Sequence, residues 1–153
     1  MSLRLEKCTA AVPAECEDIF RNSDIYTRYF QDGRLTRSLT SAAEKGELYL
    51  AYDETDRLLG AMKVSMRGFC GLYPYLGLIG VHADSRGMGV GAFLMGQLER
   101  LALESGAKRV TLMVSDFNTG GQRFYHRLGY RKLGELPDAA KEGITELIMI
   151  KDL

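Results

Sequence analysis

The chain has little cysteine, and its cysteines form no pattern that would bind a metal. Its 153 residues include three cysteines, Cys8, Cys16 and Cys70, which are widely spaced and form no CxxC pair. No histidine lies near them at the spacing of a zinc site, so neither a metal centre nor a redox pair is predicted. The spacing favours reduced thiols with a structural role, as in cytosolic proteins.

A net charge is also absent, because 20 basic residues balance 20 acidic ones. Nucleic acids and anionic membranes are bound by basic surfaces, so neither is expected as a partner. The segment from Met1 to Cys16 is charged and lacks the apolar stretch of a signal peptide. No segment approaches the length of a membrane span. These features predict a cytoplasmic protein.

Apolar residues make up 46% of the chain, which is enough for an ordinary core in one domain over residues 1–153. Hydrophobic periodicity predicts strands at residues 3–9, 48–52, 58–66, 75–82, 110–114, 130–135 and 144–151. It predicts helices at residues 13–21, 34–45, 89–105 and 119–128, a loop or a short helical piece at 22–33 and a loop at 67–74. This order predicts an α/β fold with a mixed central sheet of about seven strands and flanking helices.

A glycine-rich turn directly precedes the third predicted helix. Glycine permits positive φ and lets the backbone approach a ligand closely. Backbone N–H groups in such a turn and at a helix N-terminus form an anion site, to which an arginine adds a cation. The segment therefore predicts phosphate binding, with a plain tight turn as the alternative. Its residues are Arg86, Gly87, Met88, Gly89, Val90 and Gly91.

Two other phosphate-binding motifs fit this turn less well. A P-loop ends in Gly-Lys-Ser/Thr, which is missing here. A Rossmann turn follows the first strand directly and has an acidic residue about twenty positions later. In this chain residues 83–85 separate the strand from the turn, and little sequence follows Asp116, the acidic residue that ends the next strand. A nucleotide-binding oxidoreductase is therefore disfavoured.

The turn and a second motif resemble those of the GNAT superfamily of acetyl-CoA-dependent N-acetyltransferases. The first family motif, Arg/Gln-x-x-Gly-x-Gly/Ala at the start of a helix, is matched by Arg86, Gly89 and Gly91. The second, Asn-x-x-Ala-x-x-aromatic-Tyr followed by Gly-Tyr/Phe, has Gly121 in place of alanine and is matched by Asn118, Phe124, Tyr125, Gly129 and Tyr130. The resemblance spans essentially the whole chain and agrees with the predicted order of elements.

The resemblance implies acetyl-CoA as cosubstrate and transfer of the acetyl group to a primary amine of a small-molecule or peptide acceptor by direct attack in a ternary complex. It implies that the pantetheine arm pairs with the backbone near Ile79 and Val81. Asn118 would hydrogen-bond that arm or merely cap the next helix. Tyr125 would protonate the departing thiolate, with simple packing of its helix as the alternative. Glycines in the strand at positions 77 and 80 fit a close ligand approach or a weak strand equally well.

The general base is not identified by the sequence. Tyr75 is an acid–base candidate or a substrate contact, because it begins the strand on which this family often places such a residue. Glu47 and Asp116 are more typical of structural or solvated carboxylates. Both histidines, His82 and His126, fit surface positions better than catalytic ones. Three further acidic residues would attract a cationic amine, namely Asp24, Asp32 and Glu146.

Several properties remain open from the sequence. They are the identity of the amine, the use of acyl groups other than acetyl, and a homodimer. The alternative function is a non-catalytic sensor or regulatory module that binds acyl-CoA on the same fold. An intact pair of Asn118 and Tyr125 favours the enzyme, because a sensor has no need of a tyrosine that protonates a thiolate.

Overall fold

The computed structural model describes residues 1–21 and 23–153. Its strands are β1 (Arg4–Lys7), β2 (Leu48–Tyr52), β3 (Leu58–Phe69), β4 (Tyr73–Val81), β5 (Arg109–Ser115), β6 (Arg131–Pro137) and β7 (Thr145–Asp152). Its helices are α1 (Ala14–Arg21), α2 (Asp24–Tyr29), α3 (Arg34–Glu44), α4 (Val90–Glu104) and α5 (Thr119–Arg127), with a 3₁₀ turn at Ala83–Ser85. Within the described ranges, no helix combines the length and the apolar character needed to traverse a bilayer.

The seven strands form one sheet in the order β1-β2-β3-β4-β5-β7-β6. Strand β4 pairs with β5 in parallel, whereas β1 with β2, β2 with β3, β5 with β7 and β6 with β7 are antiparallel. The predicted α/β fold, a mixed central sheet of about seven strands with flanking helices, is confirmed.

Contacts within the chain group its residues into two compact units. Unit 1 comprises residues 1–64 and 78–98, and unit 2 comprises residues 65–77 and 99–153. The boundaries fall inside β3, β4 and α4, so these elements contribute residues to both units. The expectation of one domain over residues 1–153 stays a prediction.

In unit 1, an apolar core connects α1 and α3 with strands β2 and β3. Each large apolar side chain that leaves water contributes about 1.5–3 kcal/mol to stability, so this cluster holds the two helices on the strands. Its buried members include Ile19, Phe20, Leu35, Leu39, Leu48, Leu50 and Ala61.

Gly80 in β4 allows α1 to approach the strand closely. A Cβ atom added at Gly80 would lie 2.4 Å from Cε1 of Phe20 and 2.8 Å from Cγ2 of Ile19. Both distances are well inside the ordinary contact distance of about 3.5–4.0 Å between carbon atoms. Close packing of α1 therefore accounts for this glycine without a ligand and without a weak strand.

In unit 2, strand β5 is buried along most of its length and pairs with β7 on one side. On its other side, the parallel pairing with β4 comprises two residue pairs, Tyr75 with Thr111 and Leu76 with Leu112. The buried hydroxyl of Thr111 donates to the carbonyl of Pro74 at 2.8 Å. This bond fixes the first half of β4 against β5 at a point where proline has no N–H to offer.

The predicted loop at residues 67–74 is wrong, because β3 and β4 form a hairpin with only residues 70–72 between them. Gly68, which gives the segment its loop-like composition, lies inside β3. A Cβ atom there would be 2.9 Å from Cβ of Tyr75, so the glycine reflects the close approach of the neighbouring strand.

The sequence predicts either a loop or a short helical piece at residues 22–33, and the structure has the helix α2 within this range. Ser23 is its N-cap, and the Ser23 hydroxyl accepts a hydrogen bond from the N–H of Tyr26 at 3.2 Å. Such a cap satisfies an N–H group that lacks a partner within the helix, which explains why a helix begins in this polar segment. Residue 22 lies outside the described residues.

The cysteines are free thiols, as their spacing predicts, and two of the three are buried. Cys8 and Cys16 lie in the core of unit 1, and Cys70 is exposed. Burial, with a smaller contribution from Cys8, raises the pKa of the Cys16 thiol to about 12. Cys16 therefore stays protonated and unreactive in the folded protein.

The packing of unit 1 predicts opposite effects for two glycine-to-alanine substitutions. Gly80→Ala should destabilise the protein by about 1–3 kcal/mol, because its methyl group overlaps the ring of Phe20. Gly96 in α4 has no atom within 4 Å of an added Cβ, so Gly96→Ala should stabilise by up to about 1 kcal/mol through helix propensity. Urea unfolding of both variants measures the two changes. Equal stability of the two variants would show that α1 does not pack on Gly80.

Candidate functional site

The glycine turn lies in unit 1, where a 3₁₀ turn leads from β4 into it. The imidazole Nδ1 of His82 accepts a hydrogen bond from the N–H of Asp84 at 3.3 Å and caps this 3₁₀ turn. Gly87 and Gly89 adopt φ values of 76° and 86°, a region that strongly favours glycine. Directly after them, the 15-residue helix α4 begins at the buried Val90.

The backbone of this turn is open to approach from outside. An added Cβ atom at Gly87 or Gly89 would meet nothing within 4 Å. Arg86 and Met88 are exposed, and Met88 retains 55% of its accessible surface. The first N–H groups of α4 have no acceptor within the helix, and they carry the positive end of its dipole. This geometry can bind a phosphate group through backbone N–H groups, with Arg86 as an additional cation.

Ile79 and Val81 also belong to unit 1 and lie in the second half of β4. Both side chains are half-buried. Directly after them, the N–H of His82 donates to the carbonyl of Leu59 at 2.7 Å, which pairs this end of β4 with β3. The parallel register of β4 with β5 is given by Tyr75 and Leu76, which precede this segment.

Tyr125 lies in unit 2, on helix α5, and is 7% exposed. Asn118 is the N-cap of α5, and its Oδ1 accepts a hydrogen bond from the N–H of Gly121 at 2.9 Å. The side-chain amide of Gln122 donates to the carbonyls of Ser115 and Asp116, both at 3.1 Å. These bonds fix the start of α5 at the end of β5, and thereby fix the position of Tyr125.

Gly121, which replaces the alanine usual in the family motif, has a specific role here. An added Cβ atom at this position would lie 2.5 Å from Nδ2 and 2.8 Å from Cγ of Asn118. The amide of Asn118 therefore occupies the space that an alanine side chain would need. The glycine at this position of the motif thus leaves room for the orientation in which Asn118 caps α5, which the sequence did not indicate.

Aromatic rings pack around Tyr125. The ring of Phe124 lies 5.2 Å from it and that of Tyr130 lies 6.0 Å from it, both edge-to-face. The hydroxyl of Tyr130 donates to the carboxylate of Glu99 at 3.1 Å, and Lys151 donates to the same carboxylate at 2.9 Å. Burial raises the pKa of both tyrosines well above the ordinary range, aided at Tyr130 by Glu99. Both phenols are therefore neutral at physiological pH.

Tyr75 and Glu146 belong to the same part of unit 2 as Tyr125. Burial, and then the charge of Glu146, raise the pKa of Tyr75. At Tyr125, burial and then a smaller electrostatic contribution from Tyr75 raise the pKa. Glu146 is 6% exposed, and both of its carboxylate oxygens lie near the hydroxyl of Ser115, at 2.8 and 3.1 Å. We call Tyr75, Ser115, Tyr125 and Glu146 the tyrosine–glutamate cluster.

Most of the other acidic residues and histidines that the sequence offers as acid–base or substrate-binding candidates lie at positions where the fold itself accounts for them. The carboxylate of Asp116 accepts a hydrogen bond from the N–H of Thr145 at 3.2 Å and anchors the last hairpin. His126 is exposed on α5, and Asp24 begins α2. Glu47 takes part in backbone bonding next to β2. Across residues 1–21 and 23–153, no group of three or more His, Cys, Asp or Glu side chains could hold a metal ion.

Comparison with known families decides the classification of the chain. The model of the Acetyltransferase (GNAT) family matches residues 14–130. The protein belongs to the GNAT acetyltransferase family. The matched range contains the glycine turn and α5 with Tyr125, and it ends at Tyr130.

Relatives of known sequence and structure agree with this family. An uncharacterized N-acetyltransferase of Methanocaldococcus jannaschii is 32% identical over 74 residues, which are 48% of this chain and 47% of that protein. The chain thus matches about half the length of this curated relative. The structure of nourseothricin acetyltransferase is 29% identical with a TM-score of 0.62, covering 69% of this chain and 64% of that one.

A third similarity shows that the fold is shared over nearly the full length. An aminoglycoside 6'-N-acetyltransferase, complexed with coenzyme A, superimposes with a TM-score of 0.71. The superposition covers 97% of this chain and 96% of that one, at 16% sequence identity. At this identity the likeness concerns the fold of the GNAT acetyltransferases and not the substrate.

Proposed function

We propose that this GNAT protein transfers the acetyl group of acetyl-CoA to a primary amine of a small-molecule or peptide acceptor, by direct attack in a ternary complex. The observation that carries the proposal is the buried, neutral Tyr125 on a helix fixed by Asn118, in a chain of this family. Nourseothricin acetyltransferase and the aminoglycoside acetyltransferase with coenzyme A are relatives by sequence or fold whose names fit such a reaction.

The glycine turn supports acetyl-CoA as the acetyl donor. Its open backbone at Gly87 and Gly89, followed by the N-terminus of α4, suits the pyrophosphate of coenzyme A. Arg86 adds a charged donor to a phosphate oxygen. We assign the adjoining residues of the turn, Met88, Val90 and Gly91, to the same backbone cradle. The strand backbone at Ile79 and Val81 and the amide of Asn118 would hold the pantetheine arm.

Tyr125 is proposed as the general acid. When the amine attacks the thioester carbon, the C–S bond breaks and its electron pair goes to sulfur, which then needs a proton or a hydrogen bond. Because burial keeps the Tyr125 phenol protonated, it can donate at neutral pH. Tyr75, the neighbouring phenol whose pKa is also raised, is assigned as a substrate contact or acid–base residue.

Blocking the glycine turn should remove acetyl-CoA binding. We predict that Gly89→Val weakens the affinity at least tenfold, or about 1.4 kcal/mol, because the side chain fills the open space above the backbone. Isothermal titration calorimetry with acetyl-CoA measures the change.

The matched control for this substitution is Gly106→Val. Gly106 has a φ of 87° and equally open surroundings, so both variants should lose about 1–2 kcal/mol of stability from backbone strain. Only Gly89→Val should lose affinity. If Gly89→Val binds acetyl-CoA like the wild type, the pyrophosphate lies elsewhere.

Removing the hydroxyl of Tyr125 should slow the chemical step. We predict a decrease of about 10²-fold in single-turnover acetyl transfer by Tyr125→Phe, with little change in acetyl-CoA affinity, because the ring and its packing remain. Single-turnover measurement avoids masking by slow product release.

Tyr49→Phe is the control for loss of a buried tyrosine hydroxyl, because Tyr49 is 8% exposed in β2 of unit 1. This variant should transfer acetyl at the wild-type rate. An unchanged rate in Tyr125→Phe would show that Tyr125 only packs its helix against its neighbours.

Binding of acetyl-CoA without transfer to any amine would favour the sensor or regulatory module instead of the enzyme.

A further inference from the structure

His82 lies between β4 and the 3₁₀ turn that leads into the glycine turn. Its N–H donates to the carbonyl of Leu59 at 2.7 Å, which fixes its backbone to β3. Its imidazole Nδ1 accepts a hydrogen bond from the N–H of Asp84 at 3.3 Å. The side chain is 29% exposed, so the ring is partly withdrawn from water. His82 is thus held at the sheet by its backbone, and its ring holds the start of the 3₁₀ turn.

Successive backbone hydrogen bonds connect this capped start with the glycine turn. The N–H of Ser85 donates to the carbonyl of His82 at 2.8 Å, and the N–H of Met88 donates to the carbonyl of Ser85 at 3.4 Å. Ser85 is 3% exposed and anchors the middle of the segment. The N–H of Asp84 has no acceptor within the turn, as at the start of any helix, so the imidazole supplies one. The order of the glycine turn therefore depends on a short segment that begins at the cap.

The cap exists only while the imidazole is neutral. Nδ1 accepts a hydrogen bond through its lone pair, whereas a protonated imidazole donates from both nitrogens. Histidine is the side chain that changes its charge between about pH 5 and 8. A carboxylate oxygen of Asp84 lies 3.8 Å from the same Nδ1 and offers the protonated ring a partner. On protonation, the ring therefore exchanges the N–H of Asp84 for the carboxylate of Asp84.

The charged groups around His82 are mainly carboxylates. Asp84 also pairs with Arg57 at 3.2 Å, and both side chains are half exposed or more, so this pair contributes little to stability. Further titratable and charged side chains line a groove together with His82. They are Glu15 and Asp18 of α1, Tyr52 of β2, and Asp56 and Arg57 of the turn between β2 and β3. The charge of a protonated ring is thus offset locally by carboxylates.

We propose that His82 is a positioning residue for acetyl-CoA, whose neutral ring holds the N–H groups of the glycine turn ready for the pyrophosphate. This inference rests on the proposed binding of acetyl-CoA at that turn. Protonation of His82 releases the N–H of Asp84, and the turn must then be ordered again before the phosphate groups bind. Acetyl-CoA is therefore bound more weakly at acid pH, and the loss follows the charge of a residue outside the cradle itself.

The test compares the pH dependence of acetyl-CoA affinity in the wild type and in His82→Asn. Asparagine is among the best N-cap residues, and its amide does not titrate, so this variant keeps a cap at every pH. Isothermal titration calorimetry from about pH 8 to about pH 5.5 should show that the wild type loses affinity about fivefold relative to His82→Asn, the effect of one N-cap. Protonation of the 3'-phosphate of coenzyme A cancels in this ratio, because both proteins meet the same ligand.

Two further variants separate the cap from other effects of acid. His82→Ala has no cap at any pH, so it should bind acetyl-CoA about fivefold more weakly than the wild type at pH 8. It should show no further loss relative to His82→Asn on acidification. His126 is the other of the two histidines and is exposed on α5, so His126→Asn should follow the wild-type profile.

Hydrogen exchange in the ligand-free protein reports on the cap without acetyl-CoA. The protection factor of the Asp84 N–H, measured by NMR and corrected for the intrinsic pH dependence of exchange, should fall on acidification of the wild type. In His82→Asn it should stay constant. This measurement tests the proposal even if His82→Ala does not fold.

The outcomes distinguish this inference from the proposed function. Equal pH profiles of the wild type and His82→Asn, or tighter binding by the wild type on acidification relative to that variant, would overturn the role of His82 alone. Wild-type affinity of His82→Ala at pH 8, or protection of the Asp84 N–H that is independent of pH, would do the same. If the wild type binds no acetyl-CoA at any pH, the proposed function fails, and the inference fails with it.

Discussion

The parallel pairing of β4 with β5 is the constraint on which the tyrosine–glutamate cluster depends. Its register, Tyr75 with Thr111 and Leu76 with Leu112, is reinforced by the bond from Thr111 to the Pro74 carbonyl. This pairing fixes Tyr75 on one face of the sheet, and the register of β5 with β7 places Glu146 on the same face. A one-residue slip would move either side chain to the opposite face.

Burial has a chemical consequence in unit 2 as well as a structural one. The same desolvation that packs Tyr125 and Tyr130 in unit 2 raises their pKa values, so both remain hydrogen-bond donors at neutral pH. The capped start of α5 holds Tyr125 without using its hydroxyl, because Asn118 and Gln122 bond to backbone groups. Packing and capping thus fix the position of Tyr125, and burial keeps its hydroxyl protonated.

Local patterns predicted much of the fold. Strand β2 was predicted at its observed bounds, and the helices α4 and α5 with their preceding turns were predicted within a residue or two. The β3–β4 hairpin was missed because Gly68 resembles a loop residue, whereas it accommodates Tyr75 from the neighbouring strand. The contacts of Glu146 could not be predicted, because its burial beside Ser115 depends on strand register, which no local pattern encodes.

Transfer of an acetyl group from acetyl-CoA to an amine is tested most directly by a stoichiometric isotope experiment. The wild-type protein is mixed with acetyl-CoA labelled in the acetyl group and with primary amines, and the products are followed by mass spectrometry. We expect one labelled N-acetylated amine for each coenzyme A released. Release of coenzyme A with labelled acetate but no acetylated amine, or tight binding without any release, would contradict it.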